Sequence, residues 1–167
     1  NDNYCSIDGN LFDKNKTTLI QYAIGKTNSS YTIPDSVTTI GDYAFYGCIA
    51  LENITIPNSV TVIGTSVFAK CDALRCVSLS DNMEEIPLYL FNECSSLEEI
   101  VIPHKVTKIN SYAFAGCSSL RKIVISENVR HIDHSAFFNC KNLTIYTTAG
   151  SYAETYAKEN NIPFVAE

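Results

Sequence analysis

No apolar run in this 167-residue chain approaches the ~18 consecutive residues that a membrane-spanning helix needs, so direct membrane insertion is not expected. The start at Asn1-Asp2 has neither the basic n-region nor the apolar h-region of a signal peptide, which leaves room for a leader already removed. Positive charge is scarce as well. Twelve Lys and Arg face 18 Asp and Glu, for a net charge of −6 and a pI near 5.0, and no run of Lys and Arg breaks that balance. Such a chain repels phosphate backbones and anionic bilayers, so no nucleic-acid partner is expected. Catalytic signatures are missing too: there is no Gly-rich phosphate loop, no HExxH, no GxSxG and no paired metal-binding carboxylate motif. Nor is there an internal linker or a low-complexity stretch, so residues 1–167 read as a single domain.

What the chain does have is a repeat. Phe45, Phe68, Phe91, Phe114 and Phe137 stand 23 residues apart. Five of the seven Cys (Cys48, Cys71, Cys94, Cys117 and Cys140) keep the same step, as do Leu51, Leu74, Leu97, Leu120 and Leu143. Further apolar columns, among them Ile40/Ile63/Ile86/Ile109/Ile132, stay in phase with no insertion. A fixed period in the twenties is the mark of a stacked array in which each unit buries its faces only against its neighbours.

Each unit contains L-x-x-I-x-I, as in Leu51 to Ile56, whose three apolar positions point inward while Glu52, Asn53 and Thr55 point out: a short strand with one buried face. Pro57 and Pro103 cannot donate to a ladder and end that strand. A second extended piece follows, Val60 to Ile63, which Gly41 and Gly64 are expected to close with positive φ. The segment from Asp42 to Cys48 and its copies then reads as a single helical or 3₁₀ turn with one apolar side.

The ends depart from the pattern. Residues 1–30 read as a β-meander with turns at Asp8-Gly9 and at Asp13 to Lys16, an N-terminal cap that pairs with the first repeat. The repeats run over 31–146, the pattern lapsing after Leu143. Residues 147–167 form the C-terminal cap, where Ser151-x-x-Glu154 opens a short helix expected to bury Tyr152, Tyr156 and Ala157.

The wording "IPDSVTTIGDYAFYGCIALENI" closely resembles the BspA-like subfamily of leucine-rich repeats, with terminal segments of the kind such arrays carry. The resemblance implies an α/β solenoid, mainly β: a right-handed leucine-rich-repeat solenoid of five to six coils with a parallel sheet. It also implies an exported or cell-surface protein, extracellular in location, acting in adhesion and protein contact, and it supplies no catalytic residues. Ser80 and Ser126 in place of Pro, and Pro87, Asn110 and Asp133 in place of Gly, vary the turns.

One Cys per coil, in line within an apolar ladder, suits packing of reduced thiols better than metal ligation or disulfides. Cys5 falls in the cap and Cys76 on an outward column, and a Cys nucleophile lacks a base nearby, since His104, His131 and His134 lie on other columns. His131-x-x-His134 lacks a third ligand, so neither a metal nor any other cofactor is expected. Four glycosylation sequons begin at Asn15, Asn28, Asn53 and Asn142 and are weak evidence by frequency alone.

The outward strand columns carry more. Glu52, Arg75, Glu98 and Arg121 alternate in sign across neighbouring strands, as a register-fixing ladder or a mixed-charge strip would. On the opposite side Tyr43, Tyr89 and Tyr112 share one column, and Tyr46 and Phe138 another. The expectation is a non-enzymatic interaction or adhesion module that binds a protein or glycoprotein, such as a host surface or matrix component, through its strand face. The contact would centre on Arg75, Glu98, Glu99, Val101, Arg121, Lys122 and Val124, the half that combines both charges with exposed apolar side chains. The alternative is a passive spacer or stalk within a larger surface protein.

Overall fold

The L-x-x-I-x-I unit forms the inward and outward pattern its spacing dictates: Leu51, Ile54 and Ile56 are buried, and Glu52, Asn53 and Thr55 exposed. The computed structural model describes residues 2–167, so Asn1 of the N-terminal cap lies outside the described residues. The chain winds into a β-solenoid of about six coils. It opens with β1 (Tyr4–Ile7), β2 (Asn10–Asp13) and β3 (Thr18–Gln21), paired antiparallel as a meander. One face of the array then receives β4 (Ser30–Thr32), and the second receives β5 (Thr39–Ile40), which pairs parallel with β3. The alternation continues through β6 (Asn53–Thr55), β7 (Val62–Ile63), β8 (Cys76–Ser78), β9 (Glu85–Ile86) and β10 (Glu99–Val101). It ends with β11 (Lys108–Ile109), β12 (Lys122–Ile125), β13 (His131–Ile132) and β14 (Thr144–Thr147). Helix α1 (Tyr152–Glu159) follows, and β15 (Phe164–Ala166) closes the chain.

The core is one continuous stack. Phe45, Phe68, Phe91 and Phe114 are fully buried, and successive rings from Phe45 to Phe137 lie 5.1–5.5 Å apart and near parallel. A tyrosine finishes each end: Tyr22 stacks on Phe45 at 5.0 Å, and Tyr156 meets Phe137 edge-on at 6.1 Å. The end caps thus supply the neighbour that a terminal coil lacks.

Beside the rings, the Cys column does more than fill space. Each thiol from Cys71 onward donates to the carbonyl of the Phe in the coil before, Cys71 to Phe45, Cys94 to Phe68, Cys117 to Phe91 and Cys140 to Phe114, at 3.0–3.1 Å. All seven Cys are free thiols. Cys140 is only partly buried, against the expectation for the whole column, because it belongs to the last repeat coil and lacks a successor to cover it. Burial pushes Cys94 and Cys140 up to about 12 and holds Cys117 well above the ordinary thiol value, so these groups stay protonated and remain donors.

The segment after β5 and its copies is a run of tight turns closed by i→i−3 bonds, in place of the single helical or 3₁₀ turn expected. Ala44, Tyr46 and Cys48 donate three residues back within the coil, while Tyr43, Phe45 and Gly47 donate to Thr65, Val67 and Ala69 of the next coil. Alternate N–H groups therefore build a ladder between coils, which a helix would forbid by directing every N–H along its own axis. The left-handed residues that this requires are Tyr43, Ser66, Tyr89 and Tyr112, and the residues before Cys at Gly47, Lys70, Glu93, Gly116 and Asn139. Gly41 and Gly64 are not among them, which corrects the positive φ expected there. Gly64 is needed for close approach: a Cβ there would sit 2.6 Å from the Asp42 backbone nitrogen.

The C-terminal cap begins as the sequence indicates. Ser151 Oγ accepts from the Glu154 N–H at 3.2 Å, and the Glu154 carboxylate accepts from Gly150 N–H rather than from Ser151, one residue off the usual box. The helix buries Ala153, Tyr156 and Ala157 and leaves Tyr152 exposed, since positions i, i+3 and i+4 share a face and the stripe starts one residue later than expected.

Two of the ladders stop at one coil boundary. On the strand face β4, β6 and β8 form one sheet and β10, β12, β14 and β15 another; on the second face β7 ends one sheet and β9 begins the next. On the second face the cause is covalent. Gly64, Asn110 and Asp133 each donate to the Ile of the coil before, but at that register stands Pro87, which has no N–H to give Ile63. The turn side stays joined across the boundary, with Ser66, Phe68 and Lys70 donating to Leu88, Leu90 and Asn92.

Candidate interaction surface

All seven strand-face residues singled out from the sequence come together on β10, β12 and the residues just before β8, β10 and β12. In this region Glu99 pairs in register with Lys122, and Val101 with Val124. Val101 is 64% exposed and Val124 half-buried, so the apolar element reaches solvent. Arg75 lies 3.7 Å from Glu98, and Arg121 lies 2.8 Å from Glu98 and 3.4 Å from Glu99. The expected four-residue alternation is thus a three-residue one extended sideways to Glu99, because Glu52 makes no ion pair among the described residues. These side chains are 42–61% exposed, where screening leaves such pairs roughly 0–1 kcal/mol each.

Two further residues complete the surface. β14 stays in the ladder, with Val124 opposite Tyr146, and β15 adds Val165 opposite Tyr146. The apolar column is therefore Val101, Val124, Tyr146 and Val165 across four adjacent strands. The sequence pattern is lost after Leu143 because the last step is one residue shorter: Lys122 opposes Thr144 instead of a residue 23 on. The alternating run Thr144-Ile145-Tyr146-Thr147, with Ile145 buried, was the signal that could have shown the strand continuing. Lys122 Nζ stands 5.0 Å over the Tyr146 ring, a cation–π contact that ties the charged and apolar columns together.

This column floors a trough of about 620 Å³, with Asp81, His104, Glu127 and Glu167 among the residues around it. A second trough of about 630 Å³ continues from it over β6 and β8, floored by small polar side chains and by the exposed Cys76. Glu127 accepts from the Thr148 hydroxyl at 3.0 Å, and hydrogen bonds from its own N–H and from Thr148 hold its carboxyl below the usual range.

The other candidates do not converge on chemistry. His131 is on β13 at the second face, whereas His134 sits 3.6 Å from Asp133 in the turn that follows. Cys5 donates to the Asp13 carbonyl in the meander. On the turn side Tyr89 and Tyr112 stack at 5.2 Å and 5° across coils, and Tyr43 meets Tyr46 within its own coil at 5.9 Å. These rings bridge neighbours while keeping one face in water, Tyr43 and Tyr112 being 51% and 37% exposed. Among the described residues no helix is long and apolar enough to cross a membrane.

Comparison with known proteins places this geometry. The family model of the BspA type leucine rich repeat region matches six copies over residues 17–144. The chain is similar to the crystal structure of a leucine rich cell surface protein from Faecalibacterium prausnitzii, with 36% identity and a TM-score of 0.86, over 93% of this chain and 42% of that one. It is similar to a leucine rich repeat protein of T. pallidum at 30% identity and a TM-score of 0.72, over 77% of this chain and 62% of that one. The pneumococcal vaccine antigen PcpA shares the fold, with 23% identity and a TM-score of 0.82, over the whole chain and 48% of its own. No curated protein sequence matches significantly. The chain spans less than half the length of the Faecalibacterium and pneumococcal proteins.

Proposed function

The chain belongs to the BspA-type leucine-rich repeat family, and from that premise we propose that it is a non-enzymatic interaction module of an exported, cell-surface protein, binding a protein or glycoprotein through the C-terminal half of its strand face. The observation that carries this reading is the column from Val101 to Val165, apolar side chains held in register on a rigid sheet and left facing solvent between charges of both signs. Exposed apolar groups ringed by polar ones are what a recognition surface needs and what a solvated face avoids. The N-terminal half, with Thr32, Thr55 and Ser78 in the equivalent column, offers little to desolvate. Similarity to a cell surface protein of Faecalibacterium prausnitzii supports the location.

The self-paired charges Arg75, Glu98 and Arg121 favour a second reading, a passive spacer that holds another part of a longer protein away from a surface. Adhesion of beads coated with the domain to immobilised host matrix and cell-surface proteins separates the two. The interaction reading expects saturable adhesion that free domain competes away and that Arg75→Glu/Arg121→Glu abolishes without unfolding. Adhesion no greater than that of beads coated with an unrelated protein of the same charge would establish the spacer. If the double variant still adheres while Tyr43→Ser/Tyr89→Ser/Tyr112→Ser does not, the binding side is the turn side.

A further inference from the structure

We infer that the trough over β10, β12, β14 and β15 takes an extended protein segment that carries Lys or Arg side chains along one edge of an apolar stripe. This deepens the reading above by naming the partner's chemistry and rests on it. The floor supplies the apolar half: Val101, Val124, Tyr146 and Val165 are aligned across the sheet, and on the inner strands β12 and β14 both edges are already paired. A partner lying over these inner strands is met by side chains, not by strand addition.

The walls supply the charge. On the side where the strands end, the trough is lined by Asp81, Glu127 and Glu167, none of which makes an ion pair among the described residues. Beside them the His104 loop is held by Asn128, whose Nδ2 donates to the His104 carbonyl oxygen at 2.9 Å and lies 2.9 Å from the ring Nε2. On the opposite side the trough is lined by Lys122, which is drawn over Tyr146, and outside the trough Glu98 and Glu99 are engaged by Arg121. One wall of unneutralised carboxylate along an apolar floor, in a chain of net charge −6, complements a cationic partner and repels an acidic one.

The test uses a fluorescein-labelled peptide alternating lysine and valine, and a matched peptide alternating glutamate and valine, titrated with the domain by fluorescence anisotropy. The lysine peptide should bind and the glutamate peptide should bind at least about tenfold more weakly, with the difference shrinking as salt is raised. Asp81→Lys/Glu127→Lys and, separately, Val101→Asp should each weaken the lysine peptide about tenfold, whereas Asp35→Lys, an exposed turn residue outside the trough, should leave it unchanged. All these positions are solvent-facing, and a thermal melt of each variant checks that it folds. Failure of the lysine peptide to bind, equal affinity for both peptides, or indifference to the Asp81/Glu127 change overturns the inference. If the glutamate peptide binds better yet Val101→Asp removes it, the trough still docks a partner and only the assigned charge is wrong. Loss of adhesion in Arg75→Glu/Arg121→Glu decides the broader reading independently.

Discussion

Removing one ring from the middle of the phenylalanine stack tests whether the core is one-dimensional. Phe91 is fully buried, 5.5 Å and 7° from Phe68 on one side and 5.4 Å and 19° from Phe114 on the other. Burying such a ring takes about 150 Å² from water, worth ~4 kcal/mol at about 25 cal/mol per Å². Phe91→Ala also breaks two stacking contacts and opens a cavity between coils that are tied on the turn side by Phe68 N–H to Leu90 O and Phe91 N–H to Ala113 O, so collapse is restricted. A loss near 4–5 kcal/mol is expected, at the upper end for such truncations. Phe137→Ala removes a ring that has one phenylalanine neighbour and an edge contact with Tyr156, next to a cap that can shift, and should cost nearer ~3 kcal/mol. Urea unfolding of both variants reads the difference from the midpoint at constant slope. A cost for Phe91→Ala below ~2 kcal/mol, or one no larger than that of Phe137→Ala, would refute the picture of a stack whose middle is its most constrained part.

The thiol column should be silent to a thiol-titrating reagent at neutral pH until denaturant is added, Cys140 reacting before Cys71, Cys94 and Cys117, while the exposed Cys76 reacts at once; unreduced peptides that show column cysteines linked to each other would contradict this. Hydrogen exchange should find Glu84, Glu85, Glu98 and Glu99 N–H poorly protected in mid-array, whereas Thr61, Arg75, Thr107 and Arg121, at the equivalent sites, donate to the coil before and exchange slowly. Pro87→Gly, by restoring a donor opposite Ile63, should slow exchange at Glu85, and uniform protection of wild type across the array would count against the interrupted ladders.

The columns were legible because a solenoid converts sequence period directly into spatial contact: a step of 23 between phenylalanines is a ring stack and nothing else intervenes. The strand face followed from the same rule, which is why the seven residues from Arg75 to Val124 meet on one surface. What period could not supply was conformation within the turn segment. Tyr43, Tyr89 and Tyr112 take left-handed φ, a state disfavoured for bulky residues, because the alternate N–H ladder between coils outweighs local preference there. The thiol-to-carbonyl bonds were hidden for another reason: a small buried Cys and a hydrogen-bonding Cys look alike in a column. Tyr146 and Val165 escaped because a single-residue contraction shifts the last strands out of phase, although they complete the apolar floor.

The interrupted ladders coincide with the change in surface chemistry. β4, β6 and β8 carry small polar outward residues, and β10, β12, β14 and β15 carry the apolar column and most of the charges, with the boundary between β8 and β10. A sheet transmits strain through its backbone bonds, and among the described residues no such strand-to-strand bonds join the two sheets at this boundary on either face. Load applied to the second sheet by a bound partner would reach the first through the core, by the Phe68–Phe91 contact and the Cys94 thiol on the Phe68 carbonyl, through the turn-side bonds from Ser66, Phe68 and Lys70, and through the exposed ion pairs Lys70–Glu93 and Arg75–Glu98. Of these the Arg75–Glu98 pair lies on the proposed binding face, and at 3.7 Å between exposed side chains it is weak. Arg75 is thus the one member of the expected contact set that sits across the boundary from the apolar column. Its replacement should change how the two halves are held together as well as what the surface attracts, whereas replacement of Arg121, which lies within the second sheet's own charge cluster, should change attraction alone.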